Sequence, residues 1–244
     1  SLRIDANIPM AKLFSARILF DGGNDKLDES LKIIFDLLKE SENKNNNIMV
    51  MRCLNNIGFM YNNSGEYANG ERYLNRLIKI ATIQNNETML GMAYSNLSVS
   101  IFQTDDNVQN MKRANEYIVK AIDISKKDNK SYGQCLQFQG EIFKSLGDYN
   151  IALDNFEKSM KIFKEADNTN RIAINHIQFG EIFYCKGEYS QAIESFNAAI
   201  KIIKNIDRQQ MMNAIHIYIS KVYFVQGNYD QVIEYLEEKT EWVK

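Results

Sequence analysis

A string of residues that returns every 40 positions limits this chain more than any other feature. Gly140, Phe143, Gly147-Asp148-Tyr149, Ala152 and Phe156 come back as Gly180, Phe183, Gly187-Glu188-Tyr189, Ala192 and Phe196. A third copy reads Ser220, Tyr223, Gly227-Asn228-Tyr229, Val232 and Leu236. A fixed period of this size marks a helical solenoid. Each unit is too small to bury its own hydrophobic face, so neighbouring units must cover it.

Each position in the string has a physical task. The small residue (Gly58, Ser98, Gly140, Gly180, Ser220) lets a neighbouring helix come close, and a bulky residue follows three positions on, on the same helical face. The glycine of the Gly-x-Tyr turn ends the first helix in a left-handed conformation. Glu66, Asp148 and Glu188 then suit the positive start of the second helix. That helix opens on Gly70, Ala114, Ala152 or Ala192, with Leu74, Ile118, Phe156, Phe196 or Leu236 four residues further.

The small residue, the Gly-x-Tyr turn, the alanine and the phenylalanine resemble the tetratricopeptide repeat at matching offsets. The resemblance is most specific in the second, fourth and fifth units. It implies an all-α, right-handed superhelical solenoid of about six antiparallel helix pairs. As one domain over 1–244, the units fall at about 10–43, 48–84, 87–128, 131–166, 169–205 and 209–243. The family's usual unit is about 34 residues. Six extra residues shared by two helices lengthen each by about 4.5 Å at 1.5 Å per residue. Long units of this kind resemble those of bacterial peptide-sensing regulators and kinesin-light-chain-like adaptors.

Between these signals the chain is ordinary. It is 45% hydrophobic and 25% charged with a net charge of −2, and a nucleic-acid backbone binder should show a basic stripe instead. No apolar run approaches the ~18 residues of a membrane span, and a cytoplasmic location is expected. The run Thr104–Asn110 is expected to be a turn about four residues longer than the others. Lys158, Lys161 and Lys164 read as a solvated outer face.

Catalytic signals are missing. There is no Gly-rich phosphate loop, no GxSxG and no HExxH. Cys53 and Cys135 share one slot of a first helix with Ala93, which suits a small buried residue better than a disulfide or a zinc site. His176 and His216 share a slot filled elsewhere by Leu54, Tyr94 and Leu136, a packing position. Glu141 and Glu181 are equivalent carboxylates, but nothing else in the sequence converges on them. The expectation is no enzyme, no cofactor and no metal.

The resemblance implies that first helices line a concave groove. The second and third units would place Arg52, Asn55, Asn56, Phe59, Asn63 and Asn96 there. The fourth would add Gln137, Phe138 and Glu141, the fifth Gln178, Glu181 and Tyr184, and the sixth Tyr218 and Lys221. A short amide side chain can pair with the backbone of an extended peptide whatever its sequence, and Asn56 and Asn96 match positions that do so in related repeats. Of the Lys, Asn and Arg clamp that holds chaperone tails, only Asn96 is matched. The expected partner is a protein or extended peptide, with no nucleic acid and no membrane. The rival is a structural module that stacks on copies of itself. The apolar stripe Val232, Ile233, Leu236, Trp242 and Val243 suggests a homodimer through the last helix.

Overall fold

The computed structural model of the chain describes residues 9–23, 26–204 and 209–240. These hold twelve α-helices and no strand. The chain divides into two compact units, one up to Asp128 and one from Asn129 on. The first contains three helix pairs: α1 (Pro9–Asp21) with α2 (Leu27–Asn43), α3 (Asn47–Asn63) with α4 (Tyr67–Ile83), and α5 (Glu87–Thr104) with α6 (Val108–Ser125). The second contains α7 (Asn129–Ser145) with α8 (Tyr149–Glu165), α9 (Thr169–Cys185) with α10 (Tyr189–Ile203), and α11 (Gln209–Val225) with α12 (Tyr229–Thr240).

The small residue of the string is where the two helices of a pair touch. A Cβ added to Gly58 would lie 2.6 Å from Leu74 Cγ, and on Gly140 or Gly180 it would lie 2.8 Å or 2.5 Å from the ring of Phe156 or Phe196. The partner sits 16 residues on each time (58 to 74, 140 to 156, 180 to 196), so the period encodes a recurring seat of a large side chain on glycine. Ser98 fills the same slot by donating its hydroxyl to the Ala114 carbonyl on α6 at 2.7 Å. Ala114, Ala152 and Ala192 are fully buried, as close packing at the start of the second helix requires.

Within a pair, glycine ends the first helix. Gly65, Gly147, Gly187 and Gly227 have φ of +81°, +82°, +77° and +76°. The following amide then bonds back to the bulky residue's carbonyl, as Asp148 does to Phe143 at 2.9 Å and Glu188 to Phe183 at 2.8 Å. Glu66, Asp148 and Glu188 precede the second helices without a side-chain capping bond, so their help is limited to the helix dipole. Between pairs a second signal operates that the string does not contain. Asn45, Asn85 and Asp167 take left-handed φ of 51°, 49° and 48°. The asparagine after each (Asn46, Asn86, Asn168) caps the next helix by accepting from Met49, Met89 or Arg171 N–H at 3.0–3.2 Å.

The expected long turn at 104–110 is corrected. Helix α5 runs to Thr104 and α6 starts at Val108, each 18 residues long against 17 for α3 and α4. The extra residues extend the helices. With no glycine available, Asp105 is extended (φ −163°, ψ 162°), and Asn107 caps α6 by accepting from Asn110 N–H at 2.7 Å. Lys158, Lys161 and Lys164 are exposed, Lys158 pairing with Asp154 one turn away. No helix among the described residues is long and apolar enough to cross a membrane.

Candidate functional site

Within each unit the first helices of successive pairs pack on one another: α1 on α3, α3 on α5, α7 on α9, α9 on α11. Among the described residues, second helices make no comparable contact with each other. The first helices of each unit therefore stand side by side, and the side chains named for the groove belong to α3, α5, α7, α9 and α11.

In the first unit, amides divide between two tasks. Asn96 donates to Asn55 Oδ1 at 2.9 Å, Asn62 donates to the Asn96 carbonyl at 2.9 Å, and Ser100 donates to Asn62 Oδ1 at 2.6 Å. These bonds tie α3 to α5, and Asn55 and Asn62 are buried in doing so. Asn56 and Asn63 instead donate to their own helix, to the Arg52 and Phe59 carbonyls at 2.9 and 2.8 Å. Asn56 is half-buried and Asn63 exposed. The Arg17 guanidinium lies 3.7 Å above the Phe59 ring and pairs with Asp21 at 3.2 Å. Phe14 and Ile18 on α1 and Met92 on α5 stand 60%, 73% and 42% exposed.

In the second unit the same face is tied by charge. Lys144 on α7 donates to Gln178 at 2.6 Å and pairs with Glu181, both on α9. Glu181 also engages the Tyr218 hydroxyl on α11, and burial, then that carboxylate's charge and hydrogen bond, push the phenol up to about 12. Beneath them Gln137 donates to Asn175 at 2.6 Å and accepts from Arg171 at 2.7 Å. Burial is the main reason the Glu141 carboxyl is pushed up to about 7; Lys144 and Arg171 pull it down and Glu181 pushes it further up. Phe138 and Tyr184 are half-buried and Lys221 is exposed, its ammonium 5.2 Å from the Tyr218 ring.

The remaining candidates take packing roles. Cys53 and Cys135 are buried, and burial pushes the Cys53 thiol up to about 12. His176 meets the Phe179 ring edge-on at 6.3 Å, and burial lowers its pKa. His216 Nδ1 lies 2.7 Å from the Tyr235 hydroxyl. Among the described residues no three His, Cys, Asp or Glu side chains gather as metal ligands would. Residues that sequence reasoning missed are Arg171 and Asn175, which with Asn62 and Lys144 join neighbouring repeats. The signal for them is a spacing of 34, from Asn62 to Asn96, from Gln137 to Arg171 and from Lys144 to Gln178.

Residues 132–205 match the tetratricopeptide repeat family. Among curated proteins no relative matches this sequence. Among solved structures, similarity reaches a signal transduction ATPase with numerous domains (STAND protein) from Pyrococcus horikoshii that has a tetratricopeptide repeat sensor. The TM-score is 0.79 at 20% identity, over 96% of this chain and 35% of that one, so this chain spans about a third of that protein. A Rap protein complexed with Competence and Sporulation Factor gives 0.72 at 12% identity, over 98% of this chain and 77% of that one. The quorum sensor NprR of B. thuringiensis gives 0.70 at 19% identity, over 95% and 63%. The described chain therefore has the tetratricopeptide-repeat fold, and over residues 132–205 its sequence matches that family.

Proposed function

We propose that the chain is a non-catalytic scaffold that binds a protein or extended peptide on the inner faces of its first helices, as the sensory or docking part of a larger regulatory protein. The observation that carries this reading is the first unit's inner face. There Phe14 and Ile18 on α1 and Met92 on α5 leave apolar surface in water, and Asn56 and Asn63 on α3 between them bond only their own helix. Apolar pockets with a few fixed hydrogen-bonding groups suit an extended peptide, whose backbone supplies the complementary donors. The likeness in fold to a Rap protein complexed with a factor and to a quorum sensor supports the same reading, and a cytoplasmic location accords with it. The test is selection of a displayed random heptapeptide library on the immobilised chain, compared with an Asn56→Ala, Phe59→Ala variant. Sequences that converge on the wild type and lose affinity for the variant support the reading; no convergence overturns it.

A second reading, association of copies of this chain, is favoured by the last pair. Phe224 on α11 and Ile233 and Leu236 on α12 are exposed. Leu236 falls at the position where Phe156 and Phe196 are fully buried. Trp242 and Val243 of the same stripe lie outside the described residues. Light scattering of wild type against Leu236→Asp decides it, since a mass that is monomeric for both removes this reading.

A further inference from the structure

Among the described residues of the first unit, Arg52 is a cation without a counterion. Arg52 lies on α3, one turn before Asn56 and two before Phe59. Its Nη1 meets only the Met10 thioether, at 2.8 Å, and its Nε is buried with no hydrogen-bond partner. No carboxylate among the described residues pairs with it, whereas Arg17 on the same face has Asp21. A thioether sulfur is a weak acceptor, and leaving a charged donor unsatisfied below the surface is costly. The Nε–Nη2 edge of a guanidinium is the one that grips a carboxylate side-on through two parallel bonds. Here that edge carries no bond.

We propose that Arg52 is the anchor for an acidic side chain, Asp or Glu, of a peptide bound across α1, α3 and α5. The proposal rests on the peptide-binding reading above and assigns the chemistry of one ligand residue. The occupant is a side chain rather than a chain terminus because Arg52 sits on the middle first helix of the three, with exposed apolar residues on both sides, Phe14 and Ile18 on α1 and Met92 on α5. A ligand crossing them passes Arg52 midway, its neighbouring residues apolar. The Asn56 carbonyl oxygen, one turn along α3, would accept a backbone N–H of the same ligand, since the Asn56 amide bonds only its own helix.

The probe is the random heptapeptide library with an amidated C-terminus, so that no terminal carboxylate competes. It is selected in parallel on wild-type chain and on Arg52→Gln, both confirmed folded by their thermal melts. The expected result is convergence on Asp or Glu at one position with apolar neighbours on wild type, and loss of that preference on Arg52→Gln. Replacing the selected acid by its amide should weaken wild-type binding about tenfold, or about 1.4 kcal/mol, and leave Arg52→Gln binding unchanged. Arg52→Lys, which keeps the charge but loses the fork, should retain the preference at reduced affinity. Convergence on peptides without an acidic position, or an acidic preference that persists on Arg52→Gln, overturns this proposal alone. Absence of any convergence overturns it together with the peptide-binding reading.

Discussion

The inner faces of the two units use the same helix positions with different chemistry. The position four after the small residue is Asn62 in α3 and Lys144 in α7, and both reach the next first helix 34 residues on, at Asn96 and Gln178. The position one after it is Phe59 or Val99 in the first unit, but Glu141, Glu181 and Lys221 in the second. The repeat therefore fixes which side chains meet, and the residue type fixes the kind of contact. Neutral amides leave the first unit's face with apolar surface and an unpaired Arg52. Charged residues draw the second unit's face into a network running from Lys144 through Glu181 to Tyr218. Among the groove candidates, those of the second unit are the more occupied with one another.

The largest expected effect sharpens the comparison at the helix seats. Gly180→Ala should cost about 3 kcal/mol, because its Cβ meets the rigid Phe196 ring at 2.5 Å. Gly58→Ala should cost about 1 kcal/mol, since the flexible Leu74 side chain it meets can turn away. Urea denaturation of the two variants measures the difference, and equal costs would show that the seats are interchangeable.

The pH dependence of the second unit comes next. Glu141 has a folded-state pKa raised from 4.5 to about 7. The native state therefore binds more protons than the unfolded state between these values. This carboxyl's contribution to stability is greatest below pH 4.5, falls as pH rises through that window, and stays low above pH 7. The size is at most about 3 kcal/mol at 1.36 kcal/mol per pH unit. Glu141→Gln removes the effect, so the wild-type minus variant stability should decline from pH 5 to 8. A flat difference would show that the carboxyl ionises freely in the fold.

Breaking the charge network should cost somewhat less. Lys144→Met leaves Glu181 without its cation and Gln178 without its donor, and should destabilise by about 2 kcal/mol. It should also raise the Glu141 carboxyl further, since Lys144 is the larger of the two charges holding it down. Carboxyl chemical shifts followed by NMR would show the second effect separately from the first.

The smallest pair of effects separates the two kinds of amide in the first unit. Asn96→Ala should cost about 1 kcal/mol of stability, because it leaves Asn55 Oδ1 unsatisfied in a buried place. Asn56→Ala should change stability by less than about 0.5 kcal/mol, as its amide bonds only its own helix at a partly solvated site. Thermal melts of both variants give the ordering, and the reverse order would move Asn56 into the inter-repeat network. Asn96 is thus a structural residue whatever it also offers a ligand.

The sequence by itself determined the helix pairs, their turns and their seats, because those are local or periodic. A left-handed glycine, a glycine under a ring 16 residues on, and an alanine at the start of a second helix each recur at one spacing. Each can be read without knowing what lies on the neighbouring repeat. The Asn-Asn and Asp-Asn turns at 45–46, 85–86 and 167–168 are a weaker signal, because Lys127-Asp128 interrupts their period. The tertiary structure alone decided which inner-face side chains are occupied. Asn55 and Asn56 are adjacent in sequence and identical in type, yet one is buried against Asn96 and the other turns back on its own helix. Glu141 and Glu181 are equivalent in the repeat, yet Glu181 holds Lys144 and Tyr218 while Glu141 is desolvated. A hydrogen bond to the next helix depends on what that helix presents at the facing position. The period fixes where that position lies, and only the packed helices show whether its residue answers.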